Sequence, residues 1–403
     1  MMRRAVVIAV AAVLGVVAGA GLTMAVQRGG RAPSPGPGRT LVAPPTTPET
    51  PSTFLVWVPR GLPRGFASTV GRLPKIAATS VVAEDDTWLR RSWNAGGQLV
   101  DHPPAGYRIP IDTAAVDPAT FAAFLPPADR PDVAALSTGA AILGATSAAI
   151  RGLGPGSVMD VGGRMLRVAA VLPDQLVGAA ELVVSDRVGA QIGVQHDRYM
   201  LVQPARGRRM APEAFRARIA PMLPASLGID RAVQVRAPGD TPFFRAGDAV
   251  LPPVIVKTLF GEFAARRGRR PGTLRIDPAW TAAHIETTRV PLLGRVTCNR
   301  QVVPQLTAAM RRVRRRAHAH AVRSYQGCFV PRYIGWSDTN MLSYHSWGIA
   351  FDINAGDNVR GETPQQDPRL VRILARYGFE WGGTWIVPDG NHFEFHRTVS
   401  LGG

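Results

Sequence analysis

Four residues have the types and the spacing to do chemistry: His345, Asp352, Asp389 and His392. His345 and Asp352 stand seven positions apart in SYHSWGIAFD (Ser343–Asp352), with Gly348 and Ala350 between them. His392 lies forty positions beyond Asp352 and closes the run Asp389-Gly-Asn-His392. Two imidazoles and a carboxylate supply three ligands to a zinc ion, which leaves a fourth position open to water. The spare acid can then take that water's proton. Two assignments stay open in the run NHFEFH: Glu394 could replace Asp389 as base, and His396 could replace His392 as ligand. The other histidines, His102, His196, His284, His318 and His320, are isolated or end a basic helix, and read as surface or paired polar residues. Serine chemistry lacks its motifs. There is no Ser-x-x-Lys, since the only lysines are Lys75 and Lys257, and no G-x-S-x-G elbow.

Strands must position these residues. In the run ending FDIN, strand alternation puts Asp352 on one face and Phe351 and Ile353 on the other. In NHFEFH, His392, Glu394 and His396 share a face and Phe393 and Phe395 share its opposite. Gly348 permits close backbone approach near His345. Upstream, Leu306, Met310, Val313 and Ala317 recur at helical spacing, so one stripe packs inward and the arginines face out. The expected fold class is α+β: a small antiparallel sheet carrying Asp352 and His392, with helices packed on one side. WGGTW (Trp381–Trp385) fits a turn that walls the site. Asn354 and Asn358, in DINAGDN, either orient substrate amides or shape the loop, and Asn354 is taken as a substrate-binding candidate.

The pattern S-x-H-x-x-G-x-A-x-D followed by D-x-x-H resembles the zinc D-alanyl-D-alanine carboxypeptidases and their phage-type L-alanyl-D-glutamate endopeptidase relatives, which cut peptidoglycan peptides. The resemblance spans roughly Gly261 to His396 and concentrates in the last ~80 residues, enough for one small core. It implies zinc ligation by His345, Asp352 and His392, with Asp389 as general base. It also implies an arginine facing the scissile bond or the substrate carboxylate, and Arg332 in GCFVPRYIG matches best. Ser343 would hydrogen-bond near metal or substrate. Glu394 would orient a ligand or a substrate amide, and His396 would be structural. The implied activity is zinc-dependent hydrolysis of stem peptides or cross-links. The alternative is a membrane-anchored wall-binding or scaffold protein with a non-catalytic zinc domain.

The rest of the chain sets the compartment. Behind Arg3 and Arg4 an apolar run of 22 residues, Ala5–Val26, is long enough to span a bilayer. Residues 1–30 therefore read as an uncleaved signal anchor, with cleavage near Ala20 or Ala25 as the competitor. The positive flank predicts a single-pass protein with both globular domains outside the cytoplasm. Residues 31–53 form a Pro-rich tether. Residues 54–256 read as a separate mixed α/β domain, and GAAILGATSAAIRGLGPGSVMDVGGRMLRVAAVLPD resembles the extracytoplasmic core domain of MacB/FtsX-type permeases. That region is expected to be a recognition module or a spacer, and residues 257–403 the peptidase domain. Cys298 and Cys328 are the only cysteines, and in an exported protein the pair is most simply a disulfide. The charge of +18 is almost wholly arginine, and five arginines fall between Arg311 and Arg316. An exported protein meets little nucleic acid, so anionic wall polymers or lipid headgroups are the partners of that surface, if it has any.

Overall fold

The computed structural model describes residues 53–401 apart from 207–209, 242, 250, 317 and 338–340. The expected anchor (1–30), the tether up to residue 52 and Ala317 of the helical stripe lie outside the described residues. Among those described, no helix is long and apolar enough to cross a membrane. The architecture is mixed α/β with several sheets.

Nine strands build the upstream sheet: β1 (Phe54–Trp57), β2 (Ile76–Trp93), β3 (Ile109–Val116), β4 (Ala141–Gly144), β5 (Val158–Val161), β6 (Arg164–Leu172), β7 (Leu182–Ser185), β8 (Asp197–Pro204) and β9 (Gln234–Arg236). Their order is β3-β7-β4-β6-β5-β2-β8-β1-β9, and β3 also pairs with β2. The long β2 makes this possible. It pairs with β8 over Ile76–Ala83, with β3 over Val82–Leu89 and with β5 over Leu89–Trp93. Six strands thus form a closed circuit, and β8, β1 and β9 extend from it. Closure hides strand edges, which explains why β3 (IPIDTAAV) is buried at every position despite carrying Asp112 and Thr113.

The downstream region holds two hairpins, β10 (Ala265–Arg267) with β11 (Leu274–Ile276) and β12 (Ile285–Val290) with β13 (Gly294–Asn299). A four-stranded antiparallel sheet follows, from β14 (Tyr325–Gly327), β15 (Ala350–Ile353), β16 (Phe379–Trp381) and β17 (His392–Phe395), in the order β14-β15-β17-β16. The helix Val303–Arg315 buries Leu306, Met310 and Val313 of the expected stripe, with Ala309 beside them. The helix Pro368–Arg376 begins at Asp367, whose carboxylate accepts from the Arg369 and Leu370 amides, with Pro at its first turn. It buries Leu370, Ile373 and Leu374, and Gly378 ends it at φ 78°. A side chain at Gly378 would collide with the Arg397 carbonyl, 2.1 Å from an added Cβ.

Packing moves the expected domain boundary. Residue 257 falls inside the helix Pro253–Phe260, and Leu251, Val256 and Phe260 belong to the downstream core. Pro253 stands in the first turn of that helix, where its missing N–H is not needed. The upstream region is also not a detached body. The Arg108 and Ala265 backbones exchange two hydrogen bonds, of 2.9 and 2.7 Å.

Candidate metal centre

The central pair of the four-stranded sheet sets the site. The β15–β17 register places Asp352 directly opposite His392 and Ala350 opposite Glu394. Phe351, Ile353, Phe393 and Phe395 take the core face, and the Phe351 and Phe393 rings stack 5.6 Å apart. The polar alternation leaves Asp352, His392 and Glu394 together on the other face.

His345 reaches the same point from a short helical turn, Tyr344–Ser346. The Ser343 hydroxyl accepts from the His345 N–H at 3.4 Å and caps that turn. Ser343 is therefore placed as a cap of the turn that carries His345. Gly348 (φ 66°) brings the chain against β13, where its carbonyl accepts from Asn299 N–H at 2.9 Å. A Cβ at Gly348 would lie 2.8 Å from that nitrogen, so only glycine fits. Cys328 is bonded to Cys298 on β13, as the two-cysteine count suggested. The Cys328 carbonyl accepts from His345 Nδ1 at 3.0 Å. A carbonyl only accepts, so Nδ1 carries the proton and Nε2 offers its lone pair.

The donor set fits a zinc ion. One ligand atom each from His345, Asp352 and His392 lie within 4.8 Å of one another. His345 is 1% exposed and its Nε2 makes no aligned hydrogen bond, although Asp352 Oδ2 stands 3.3 Å away. A buried, orphaned imidazole nitrogen beside a carboxylate is what a ligand looks like without its cation. Burial lowers the His345 pKa and keeps the ring neutral, the state that binds metal. Burial would raise Asp352, but the two imidazoles outweigh it and hold its carboxyl well below the usual range. Burial likewise opposes a charge on His392, yet Asp352 at 3.1 Å from Nδ1 and Glu394 at 3.4 Å from Nε2 push it up to about 10.

The remaining candidates divide. Burial raises the Asp389 carboxyl, with His392 pulling the other way, and Asp389 Oδ1 accepts from Asn391 Nδ2 at 2.7 Å. Arg332 NH2 is 3.9 Å from Asp352 Oδ2, and its guanidinium lies over the Trp336 ring at 5.1 Å. His396 sits apart from the cluster and pairs with Glu380 at 3.4 Å. Trp385 of the WGGTW turn packs 5.1 Å from the His392 ring.

Asn354 is a correction. Its side chain is 1% exposed, accepts from the Arg323 and Ser324 amides and donates to Ala321 O and Gln366 Oε1. Every polar atom is engaged by the chain itself, at φ 59°, so Asn354 clamps the loop and has nothing left for substrate. The Cys328 carbonyl was invisible to side-chain reading, because any residue would supply it.

Residues 337–395 match the D-alanyl-D-alanine carboxypeptidase family. The matched segment contains Ser343, His345, Asp352, Asp389 and His392 and supports a peptidase. It stops short of Arg332. No curated protein matches the chain. Among solved structures, the periplasmic region of MacB from Actinobacillus actinomycetemcomitans is similar at 12% identity and TM-score 0.31, over 46% of this chain and 88% of that one. The extracellular domain of the noncanonic ABC-type transporter YknZ from Gram-positive bacteria is similar at 14% identity and TM-score 0.31, over 46% and 99%.

Proposed function

We propose that this protein is a zinc peptidase that hydrolyses peptide bonds in peptidoglycan stem peptides or cross-links. The observation that carries the reading is the His345–Asp352–His392 cluster, with a spare carboxylate three residues before His392, inside the carboxypeptidase-matching segment. His345 Nε2, an Asp352 oxygen and His392 Nδ1 would hold the ion. When bound, zinc supplies Lewis acidity to the attacking water and to the amide carbonyl. Asp389 takes the water's proton and returns it to the leaving amine, and burial that raises its carboxyl suits it to both halves of that task. Arg332, braced on Trp336, faces the negative charge that develops on the carbonyl oxygen or the substrate's terminal carboxylate. Glu394 fixes the far nitrogen of His392.

In this reading the protein works outside the cytoplasm, tethered by residues 1–30. Anionic wall polymers are its second partner. The helices 303–315 and 368–376, with residues 399–401, line a cleft of about 470 Å3 that gathers Arg311, Arg312, Arg315 and Arg376. None of the four has an ion-pair partner among the described residues. The test is digestion of purified peptidoglycan by the protein, with products identified by mass spectrometry. Release of D-alanine or of cleaved cross-links that stops on chelation and returns with zinc supports the reading. Products unchanged by chelation would end it.

A further inference from the structure

The segments bearing the metal ligands and the base are tied to the upstream domain as well as to their own sheet. Arg332–Ile334 pairs with Met341–Ser343: Ser343 N–H donates to Arg332 O at 3.0 Å, and Ile334 N–H to Met341 O at 2.9 Å. One side of this pairing presents Arg332, and the other leads through Ser343 to His345. The Leu342 N–H between those two bonds points away from the pairing. It donates to Asp86 Oδ2 on β2, at 2.6 Å. Trp88, two residues along β2 and hence on the same face, packs against the downstream core. On the other segment, the Ile386 N–H, three residues before Asp389, donates to Asp248 at 3.4 Å, and the Ile386 side chain packs against an upstream core.

Buried ions fix the pose in which these ties form. The Lys257 ammonium (4% exposed) donates to Glu181 (0%) at 2.7 Å and to the Pro110 carbonyl. Arg151 grips both oxygens of Glu262 at 2.5 Å and Glu181 at 2.9 Å. Lys257 and Glu262 lie downstream and Arg151 and Glu181 upstream. A slipped interface would leave one of these charges buried without its partner, which is strongly unfavourable, so the docking is set to one register.

We infer that Asp86 and Asp248 are positioning residues: Asp86 holds the pairing that presents Arg332 and His345, Asp248 holds the segment that presents Asp389, and the upstream domain is thereby part of the catalytic unit. This rests on the zinc-peptidase reading. It replaces the expectation of a spacer or an independent recognition module with a structural duty at the site.

The experiment uses the full chain and reads zinc affinity by chelator competition, the visible absorption of the cobalt-substituted protein, and kcat and KM separately. Asp86→Ala should weaken zinc about tenfold, the scale of lost support to a metal ligand, and shift the cobalt bands. Asp86→Asn should restore both, because an amide oxygen still accepts from Leu342 N–H. Asp248→Ala should keep zinc and lower kcat with KM little changed. It also serves as the readout should Asp86→Ala not fold. Val70→Ala, at a fully buried upstream core position that takes part in neither tie, should lower the melting temperature and leave zinc affinity and the cobalt spectrum unmoved. Should Asp86→Ala and Asp248→Ala match an active, zinc-loaded parent in every readout, or should Val70→Ala reproduce their effects, this inference falls and the peptidase reading stands. A parent that binds no zinc and cuts nothing would sink both.

Discussion

The proposed mechanism gives Asp389 and Glu394 different work, and the two can be separated by experiment. The two nitrogens of an imidazole point to different sides of the ring. His392 Nδ1 faces Asp352 at 3.1 Å and Nε2 faces Glu394 at 3.4 Å. Under the proposed ligand set, an ion held by His345, Asp352 and His392 Nδ1 would lie on the side of the ring away from Glu394, which would then support the ring and not act as base. Glu394→Gln removes the charge behind His392 but keeps an oxygen that can accept from Nε2–H. Lost support of this kind costs about tenfold in metal affinity, or about 1.4 kcal/mol, while turnover at saturating zinc should change little. Asp389→Asn should do the reverse. The three ligands are untouched, so zinc stays bound, and losing the proton acceptor should cut kcat by ~10²–10⁴, or about 3–5 kcal/mol. The assay pairs chelator competition with turnover of a defined muropeptide followed by chromatography, both across a zinc series. If Glu394→Gln abolished turnover with zinc in place and Asp389→Asn stayed nearly fully active, the base would be Glu394 and the geometric reasoning above would be wrong.

Three further outcomes follow from other parts of the molecule. Replacing Cys298 and Cys328 by Ala should cost about 3 kcal/mol, lowering the melting temperature by about 6–12 °C, and an unchanged melting point would refute a stabilising role. Burial would raise Glu262, but Arg151 and Lys257 outweigh it and carry its carboxyl down to about 2 from an ordinary 4.5. A depressed carboxyl contributes stability that is present above its unfolded value and lost as pH falls towards its folded one. The Glu262→Gln variant should therefore lose part of the parent's fall in melting temperature between pH 5 and 2, and identical acid slopes would contradict this. Arg312→Gln with Arg376→Gln should weaken low-salt binding of inorganic polyphosphate at least tenfold without changing hydrolysis of a short soluble peptide, and equal binding would remove the cleft as an anion site.

Period-two alternation carried much of the site. In β15 and β17 one face must be apolar, so Asp352, His392 and Glu394 are forced together, and the observed register shows it. His345 was legible for another reason, since its turn needs Ser343 as cap and Gly348 as contact, and both are written in the motif. What stayed hidden depends on backbone groups and on distance along the chain. The Cys328 carbonyl that sets the His345 tautomer belongs to no side chain, and the Asp86–Leu342 bond joins residues 256 positions apart. Asn354 misled because an asparagine that satisfies its own loop and one that waits for a substrate amide look alike in sequence. The boundary expected at 257 fell inside the helix Pro253–Phe260, whose buried residues pack into the downstream core through contacts that local sequence does not specify.

The supports of the centre come from three places, and each acts on a different member. Asp352 and His392 are held by the sheet that contains them, with Glu394 added from the same strand. His345 lies off that sheet, and its orientation depends on a carbonyl whose position is fixed by the bond from Cys328 to Cys298 and thus to β13. Arg332 and the approach to His345 hang on a pairing whose outward N–H is answered only by Asp86, from the upstream domain. The sheet alone therefore brings Asp352 and His392 together through one local alternation. His345, Arg332 and the segment carrying Asp389 need contacts from elsewhere in the chain. That division gives a physical reason for the motif to come with a disulfide and a docked second domain. A cluster of two imidazoles and two acids carries unfavourable desolvation, and it keeps one geometry only if the surroundings over-determine it.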